Sequence, residues 1–326
     1  MARIVDRYGR HLTYVRISVT DRCNFRCRYC MPPSGVSWVP HEAILSYEEI
    51  LGLCGVLGEL GVEKVRFTGG EPLVRKGFVD FLYRLKEKHP QLQVAVTTNG
   101  SLLKEWAPRL ADLNLTALNI SLDTISKDKF SYITRGGNLE EVISGIDAFR
   151  SHSDATVKIN AVLIKDFNDG EGEISALIAF ARSRRAVPRF IEFMPLDDDV
   201  WSRDRFISAD NMIEVLRAMG YTHFSDEEGQ NSGPATYLQN PLTGQRVGII
   251  AAVSHHFCDR CNRLRVTAMG EMRSCLFADS GVNLKEPLSS GDLEEVRKRI
   301  MECVAAKPQS WMRLKSSSRH MSQIGG

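Results

Sequence analysis

The sequence lacks the features that mark nucleic-acid-binding, membrane-spanning and exported proteins. Its 42 Lys and Arg residues nearly balance its 40 Asp and Glu residues, which leaves a net charge of only +2. So small a charge excludes a general affinity for nucleic acids or anionic membranes, and any anion site must be local. No apolar run approaches the roughly 20 residues that a spanning helix requires. The N-terminal residues are charged and contain no apolar signal region, so we expect a cytoplasmic protein.

Cysteine is scarce, and its distribution is uneven. The chain has 8 cysteines among 326 residues, too few for a disulfide scaffold. Six of them fall in two tight groups, which in a reducing compartment indicates metal binding. The other two, Cys54 and Cys303, lie in predicted helices and are most simply core residues. Composition is that of a globular protein, with 43% hydrophobic residues, and the length suits two domains or one large α/β unit with an appendage.

Most of the chain before residue 195 alternates between predicted strands and helices. Val15, Ile17 and Val19 alternate with polar residues, as in a strand with one buried face. Ser46 with Glu49 three residues later is a helix-capping pattern. The predicted strands are 14–20, 62–67, 92–97, 115–122, 156–164 and 189–193, and the helices are 47–61, 76–89, 101–112, one after 138, and 172–184. Six such units predict an α/β protein with a parallel sheet, either open and doubly wound or curled like a barrel, with its site at the carboxyl ends of the strands.

The alternation stops after about residue 195. One capped helix is predicted at 208–219, followed by a stretch rich in Gly, Asn and Pro at 229–244 and by short strands that carry the second cysteine group. We therefore divide the chain into a domain of residues 1–210 and a smaller C-terminal domain of residues 211–326. Residues 197–243 carry no motif from which a role follows.

The first cysteine group directly follows the first predicted strand. Cys23, Cys27 and Cys30 have the spacing C-x3-C-x2-C. Three thiolates suit a cubane iron–sulfur cluster, because they hold three irons and leave the fourth open to another ligand. A structural zinc ion normally takes four protein ligands. Two alternatives stay open here, namely buried structural cysteines and a zinc site completed by a distant histidine such as His41.

The second cysteine group has the same number of thiols. Cys258, Cys261 and Cys275 form C-x2-C-x13-C without a fourth cysteine nearby, which predicts a second site of the same kind. The alternative pools both groups with histidines such as His255 and His256 around zinc, as in a zinc-ribbon nucleic-acid module. The nearly neutral chain argues against that alternative.

Arginines are concentrated around the second cysteine group, at positions 260, 263, 265 and 273. Alternation along a strand would direct Arg263 and Arg265 to one face, beside the cysteine-bound metal. Two guanidinium groups side by side suit a phosphate chain, because charge-assisted bidentate hydrogen bonds are stronger than neutral ones. The alternative is a solvated basic strand.

Three motifs together resemble the radical S-adenosylmethionine superfamily. They are the first cysteine group, Thr68-Gly69-Gly70-Glu71-Pro72 after the second strand, and Ser121-Leu122-Asp123 after the fourth. In that superfamily the three cysteines hold a [4Fe-4S] cluster, whose open iron binds the amino and carboxylate groups of S-adenosylmethionine. The glycine motif contacts the methionine amino group, and residues without a side chain allow that close approach.

Within the superfamily, the whole chain is similar to the GTP 3′,8-cyclases of molybdenum-cofactor biosynthesis. The similar segments are 9–10, 14–30, 97–100, 192–195, 257–275 and the terminal Gly325-Gly326. The resemblance implies an incomplete six-unit (βα) barrel, whose open side is covered by a C-terminal domain with a second [4Fe-4S] cluster. It also supports our expectation that the glycine tail reaches the active site.

The resemblance assigns single residues to two ligands. The implied S-adenosylmethionine contacts are Tyr29, Gly70, Ser121 and Met194. The implied GTP contacts are Arg16, Arg66, Thr97, Lys158, Arg263, Leu264 and Arg265. Taken alone, Arg16 and Lys158 could equally be outward-facing strand charges, and Met194 could be a core residue.

The implied activity is a radical cyclisation of GTP. An electron from the first cluster cleaves S-adenosylmethionine, the resulting 5′-deoxyadenosyl radical takes a hydrogen atom from ribose C3′, and the carbon radical attacks guanine C8. The product, 3′,8-cyclo-7,8-dihydro-GTP, goes to a downstream cyclic pyranopterin monophosphate synthase. A one-electron reductant is a further implied partner, and neither nucleic acid nor membrane is expected. The sequence leaves open a homodimer, and also a radical enzyme that acts on another nucleotide or a peptide.

Overall fold

The computed structural model describes residues 4–196, 200–224 and 233–314, and twelve strands within these ranges join in one sheet. The strands are β1 Tyr14–Ser18, β2 Lys64–Thr68, β3 Gln93–Thr98, β4 Ala117–Ser121, β5 Val157–Leu163, β6 Ala186–Glu192, β7 Thr222–Phe224, β8 Thr236–Gln239, β9 Arg246–Ile250, β10 Arg263–Val266, β11 Glu271–Arg273 and β12 Val282–Asn283. All six predicted strands are present, with ends that differ by a few residues. The predicted α/β class is therefore confirmed.

Helices connect the successive strands from β1 to β7, and two more helices within the described ranges follow β12. The helices are α1 Tyr47–Glu59, α2 Phe78–Lys88, α3 Leu103–Asp112, α4 Lys127–Thr134, α5 Leu139–His152, α6 Glu171–Ser183, α7 Ala209–Ala218, α8 Lys285–Ser290 and α9 Leu293–Ala305. The predicted cap of α1 is confirmed, because the Ser46 hydroxyl accepts from the Glu49 N–H at 3.1 Å and the Glu49 carboxylate accepts from the Ser46 N–H at 2.6 Å. The sequence reasoning missed α4. Within the described ranges, every helix is too short or too polar to cross a membrane.

Eight strands of the sheet are parallel. β1 to β6 follow one another in sequence order, β10 pairs in parallel with β1, and β9 pairs in parallel with β6. The short strands β11, β12, β8 and β7 extend the two edges in antiparallel pairing.

The sheet is curled, because strands from both of its edges line a single cavity. β9 and β10 border opposite edges of the six-strand core, yet Ile250 at the end of β9 and Arg263 at the start of β10 both line that cavity. Residues 251–262, here named the crossing segment, join β9 to β10. The crossing segment also lines the cavity and passes over the open side of the barrel. Of the two architectures that the sequence allowed, the barrel-like one is present.

Alternation along the parallel strands separates an apolar outer face from a polar inner face. In β1, Val15 is fully buried under the helices, whereas Tyr14 and Arg16 line an internal cavity. In β2, Phe67 packs edge-to-face against Phe81 of α2, with ring centroids 5.2 Å apart. Successive strand side chains point to opposite faces, so hydrophobic contact fixes the helices outside and leaves the inside for polar groups.

Glu192, the last residue of β6, anchors the crossing segment. Its fully buried carboxylate accepts hydrogen bonds from the N–H groups of Ala209 at 2.7 Å, Val253 at 2.6 Å and Ser254 at 3.0 Å, and from the Ser254 hydroxyl. Ala209 begins α7, and Val253 and Ser254 lie in the crossing segment. One carboxylate thus fixes three parts of the chain at the rim of the barrel.

Replacing Glu192 by Ala should destabilise the protein. Three N–H groups would lose their acceptor, the buried one of Ala209 and the partly buried ones of Val253 and Ser254, and the loss typically costs about 1–3 kcal/mol for a buried group. Urea denaturation of the variant should show a free energy of unfolding at least about 2 kcal/mol below wild type. The control is Glu48→Ala, because Glu48 forms an exposed ion pair with Arg84 and such pairs contribute little. Equal stability of Glu192→Ala and wild type would show that other contacts hold the crossing segment.

Candidate active site

A cavity of about 300 Å³ lies inside the barrel, under the crossing segment. Nearly every residue that the sequence assigned to a site lines it. These residues are Cys23, Cys27, Cys30, Cys258, Cys261, Cys275, Tyr29, Gly70, Ser121, Met194, Arg16, Arg66, Thr97, Lys158, Arg263 and Arg265. The strands and loops that carry them are far apart in sequence, and the curl of the sheet brings them together.

Leu264 is the exception among the assigned residues. Its side chain is fully buried in the hydrophobic core, because strand alternation turns it away from Arg263 and Arg265. A contact between residue 264 and a ligand in the cavity would have to use its backbone. The predicted role of the Gly325-Gly326 tail concerns residues that lie outside the described ranges.

The first cysteine group lies on a loop that the end of α4 supports. Within the loop, the N–H of Cys30 donates to the carbonyl of Cys27 at 2.9 Å. The N–H of Arg28 donates to the carbonyl of Ile133 at 2.8 Å. The guanidinium of Arg135 donates to the carbonyls of residues 26 and 31, at 2.6 and 2.8 Å. The helix that the sequence reasoning missed therefore helps to determine the shape of this loop.

The glycine pair at the end of β2 packs against the same loop. A Cβ atom at Gly69 would lie 2.7 Å from the carbonyl oxygen of Thr20, and one at Gly70 only 2.2 Å from that of Arg22. The N–H of Gly70 also donates to the Thr20 carbonyl at 2.8 Å. The sequence reasoning attributed these glycines to approach of a ligand. The structure adds a second reason, since two stretches of backbone meet here with no space for a side chain.

Glu71 joins the glycine motif to the end of β3. Its fully buried carboxylate accepts from the Thr98 hydroxyl at 2.8 Å and from the N–H groups of Asn99 at 2.6 Å and Leu73 at 3.0 Å. Burial raises the pKa of Glu71 to about 7, although these hydrogen bonds act in the opposite direction. The Asn99 amide lies 3.8 Å from the Cys23 sulfur. This network links the first cysteine group to two strand ends.

Tyr29 and Asp123 link the cysteine loop to the next two strands. The Tyr29 hydroxyl donates to Asp123 at 2.7 Å, and the N–H of Val162 donates to the other carboxylate oxygen at 2.8 Å. Burial raises the pKa of Asp123 to about 6, and it also raises the pKa of Tyr29. Asp123 thus positions the tyrosine that lies between two of the cysteines.

The second cysteine group lies in a more positive environment. Burial raises the pKa of Cys261, but Lys307 and Arg263 oppose this effect and bring it down to about 7. Burial raises the pKa of Cys275. Within the described ranges, no three His, Cys, Asp or Glu side chains are arranged around a single metal ion. A cubane does not need such convergence, because each thiolate binds a different iron.

Two rows of cavity-facing side chains run across β10, β1 and β2. In register, the rows are Arg263–Tyr14–Lys64 and Arg265–Arg16–Arg66. Burial lowers the pKa of Arg16 well below its ordinary value, and nearby Arg265 lowers it further. Burial and Arg263 likewise lower the pKa of Arg265 to about 10. We name these residues the basic rows, and such a concentration of buried positive charge has the chemistry that suits a polyanion.

Tyr14 lies in the middle of the basic rows and accepts a hydrogen bond from the Arg66 guanidinium at 2.5 Å. Burial raises its pKa, but Arg66, Arg16 and Arg263 together lower it to about 7. A phenol that ionises near neutral pH reports directly on the positive charge around it.

Several polar residues of the cavity were not assigned from the sequence, namely Tyr14, Lys64, Asn119, Asn160 and Arg189. Arg189 of β6 donates to Asn160 of β5 at 2.9 Å, so that the polar lining continues across the barrel. Parallel strands covered on both faces normally read as continuous apolar runs. Polar side chains at alternate positions in otherwise apolar strands are the signal that could have identified this lining.

Comparisons with known proteins agree with this geometry. The profile of the Radical SAM superfamily matches residues 17–178, and the profile described as Molybdenum Cofactor Synthesis C matches residues 187–313. A protein of Thermodesulfovibrio yellowstonii named GTP 3′,8-cyclase is 42% identical over 326 residues, which cover 98% of this chain and 99% of that protein. The chain belongs to the GTP 3′,8-cyclase family. Membership of this family excludes the alternative interpretation of the chain as a zinc-ribbon nucleic-acid module.

Two further relatives match nearly all of this chain. One from Peptoclostridium acidaminophilum is 41% identical over 94% of this chain and 92% of its own length. In Dictyostelium discoideum, a protein named Molybdenum cofactor biosynthesis protein 1 is 38% identical over 94% of this chain, which corresponds to 49% of that protein.

Two solved structures share the fold. Streptococcus suis SuiB bound to S-adenosylmethionine has a TM-score of 0.62 at 13% identity, over 93% of this chain and 66% of that chain. The protein anSMEcpe with bound AdoMet has a TM-score of 0.61 at 15% identity, over 92% of this chain and 82% of that chain. At such low identity these likenesses establish the fold of this GTP 3′,8-cyclase family member and nothing more.

Gly70→Ala should displace the first cysteine group. The added Cβ would collide with the carbonyl oxygen of Arg22, the residue before Cys23, and backbone cannot yield cheaply. We expect a lower melting temperature and less iron bound after anaerobic reconstitution. Gly52→Ala in α1 is the matched control, because a Cβ there meets nothing within 4 Å and alanine favours helix. Normal stability and iron content in Gly70→Ala would contradict this packing argument.

Tyr14 should ionise near neutral pH in cluster-free protein. Ultraviolet difference titration should show a phenolate step near pH 7 that Tyr14→Phe removes, since three arginines lower the pKa of Tyr14 to about 7. Adding inorganic triphosphate should move the step to higher pH, because a bound polyanion neutralises those arginines. Tyr83→Phe is the control, since the Tyr83 hydroxyl donates to the Arg109 carbonyl outside the cavity. If the phenolate titration step persists in Tyr14→Phe, its assignment to Tyr14 is wrong.

Proposed function

We propose that this protein cyclises GTP to (8S)-3′,8-cyclo-7,8-dihydroguanosine 5′-triphosphate, the first step of molybdenum-cofactor biosynthesis. The observation that carries the proposal is a single cavity in which two three-cysteine groups share the walls with the basic rows. Relatives of 40–42% identity over nearly the whole chain bear the name GTP 3′,8-cyclase, which supports the same substrate and product.

The first cysteine group is proposed to hold the [4Fe-4S] cluster that radical SAM membership implies. Its donor set fits, because Cys23, Cys27 and Cys30 are three cavity-lining thiols without a fourth cysteine in the loop. When bound, the cluster supplies the electron for cleavage of S-adenosylmethionine, which starts the radical chemistry. The proposed S-adenosylmethionine contacts are Tyr29, Gly70, Ser121 and Met194, which line the same cavity.

The basic rows are proposed to bind the triphosphate of GTP. Arg16, Arg66, Arg263 and Arg265 present guanidinium groups at the cavity wall, and guanidinium forks match phosphate oxygens in bidentate geometry. Arg66 also lies 3.3 Å from the Thr97 hydroxyl, and Lys158 lines the cavity from β5. A proposed backbone contact at Leu264 completes the set. These charges favour a phosphorylated substrate over the peptide alternative.

The second cysteine group is proposed to hold a second [4Fe-4S] cluster, whose open iron binds the guanine base. Cys258, Cys261 and Cys275 again provide three thiols to the cavity. The rings of Phe277 and Trp311 stack at 4.3 Å and also line the cavity. Such a flat apolar surface suits a purine. The base and the phosphates would thus have separate surfaces, which fixes the ribose between them.

Further proposals concern the partners, the location and the domain division of this protein. They are a one-electron reductant, a downstream cyclic pyranopterin monophosphate synthase, a cytoplasmic location, and a division into domains of residues 1–210 and 211–326. A homodimer is kept as an alternative to the monomer. Nucleic acid is not proposed as a partner, because the basic rows lie inside the barrel.

Arg265→Met should weaken GTP binding without lowering stability. Loss of charge-assisted phosphate bonds typically costs about 1.5–3 kcal/mol, which corresponds to roughly a 10- to 100-fold weaker affinity. The melting temperature should stay equal or rise, because the variant relieves repulsion among buried cations. Anaerobic incubation with GTP, S-adenosylmethionine and reductant, followed by chromatographic and mass analysis, measures product formation and the KM for GTP.

Arg84→Ala is the control for this experiment, because the exposed Arg84 side chain pairs with Glu48 on the outer surface. It should have wild-type kinetics. Wild-type protein that forms no cyclised GTP would refute the proposed function. A normal KM for GTP in Arg265→Met would refute only the role given to the basic rows.

A further inference from the structure

Lys307 follows α9, and its ammonium group is buried beside the second cysteine group. The residue is only 2% exposed. Its Nζ lies 3.6 Å from the Cys261 sulfur, 2.9 Å from the carbonyl oxygen of Arg263 and 2.7 Å from that of Ser274. Ser274 directly precedes Cys275, and Arg263 follows Cys261 by two residues. One ammonium group therefore contacts both arms of the cysteine group.

The described part of the chain offers Lys307 no carboxylate. Its hydrogen bonds go to two carbonyl oxygens and one sulfur. A buried ammonium group is costly unless an anion balances it. For comparison, the ammonium group of Lys285 has a carboxylate partner. It donates to the Ile44 carbonyl at 2.8 Å and to the Glu49 carboxylate at 3.3 Å. For Lys307, the group among its contacts that can carry negative charge is the Cys261 sulfur.

An independent contact holds the backbone around Lys307. The Arg10 guanidinium donates to the carbonyls of Cys258 at 2.6 Å and Pro308 at 2.7 Å, and Asp6 balances its charge at 2.6 Å. The position of Lys307 is thus set by its neighbours. The ammonium group need not hold the chain together, so its role can be tested by substitution.

We infer that Lys307 is a positioning residue for the second cysteine group, which places a positive charge beside the Cys261 sulfur and fixes it relative to Cys275. The inference rests on the second cluster of the proposed function. Thiolates are the protein ligands of such a cluster, and a neighbouring cation stabilises their negative charge. A cation and hydrogen bonds at a cluster sulfur also favour the more negative, reduced state and thereby raise the reduction potential.

Two substitutions separate charge from hydrogen bonding. Lys307→Gln keeps N–H donors for the carbonyl oxygens but removes the charge, and Lys307→Arg keeps the charge. Both are made in full-length protein that also carries Cys23→Ala, Cys27→Ala and Cys30→Ala, so that only the second group can hold a cluster. After anaerobic reconstitution, iron, labile sulfide, loss of iron to a chelator, and the midpoint potential are measured.

The Gln variant should lose iron to the chelator at least ~10-fold faster than the parent, as is typical when a supporting partner of a metal ligand is removed. Its remaining cluster should have a lower midpoint potential. The Arg variant should stay close to the parent, and Lys285→Gln, the matched control, should not differ from it.

A Gln variant with parental iron retention and midpoint potential would overturn the inference. Equal loss in the Gln and Arg variants would also overturn it, because packing and not charge would then be responsible. A parent that binds no cluster would overturn the second cluster of the proposed function, and this inference with it, so the two failures are distinguishable.

Discussion

The short crossing segment between β9 and β10 is the constraint on which the active site depends. Parallel pairing places these two strands at opposite edges of the six-strand core, and twelve intervening residues connect them. Because the sheet curls around one cavity, the crossing segment carries Cys258 and Cys261 to the same cavity that Cys23 and Cys27 line. Glu192 fixes the segment near one end, where β6 finishes. The Arg10 contact to the Cys258 carbonyl fixes it near the other.

The curl also concentrates positive charge in a protein whose net charge is only +2. Strand pairing places Arg16, Arg66 and Arg265 in register, and the curl of the barrel brings the ends of their inward-facing side chains closer together than a flat sheet would. Burial and mutual repulsion disfavour these charges, which is why the pKa of Arg16 is lowered. A bound polyanion relieves both effects. The cavity therefore concentrates unfavourable electrostatic energy that binding of a polyanion would relieve, a common relation between stability and function.

Two buried carboxyl groups, those of Glu71 and Asp123, support the first cysteine group. Glu71 and Asp123 each accept hydrogen bonds from separate strand ends, and burial raises the pKa of Glu71 to about 7 and that of Asp123 to about 6. Both bind protons more tightly in the folded chain than at their ordinary pKa values of 4.5 and 3.8. Their contribution to stability is thus complete below about pH 4 and is lost as the pH rises through 6 to 7. Their hydrogen bonds join the loop of the first cysteine group to the ends of β3 and β5.

The sequence by itself determined the six core strands, the caps, the two cysteine groups and the motif residues that resemble a known family, because these signals are local or depend on fixed spacing. Only the tertiary structure decided which polar side chains share the cavity. The groups that surround Lys64, Arg189 and Lys307 come from strands and loops far along the chain. Gly70 has no space for a side chain because it lies close to the Arg22 carbonyl, and this contact likewise exists only where two separate segments of the chain meet. Such contacts follow from the path of the folded backbone, which the order of residue types along a strand does not encode.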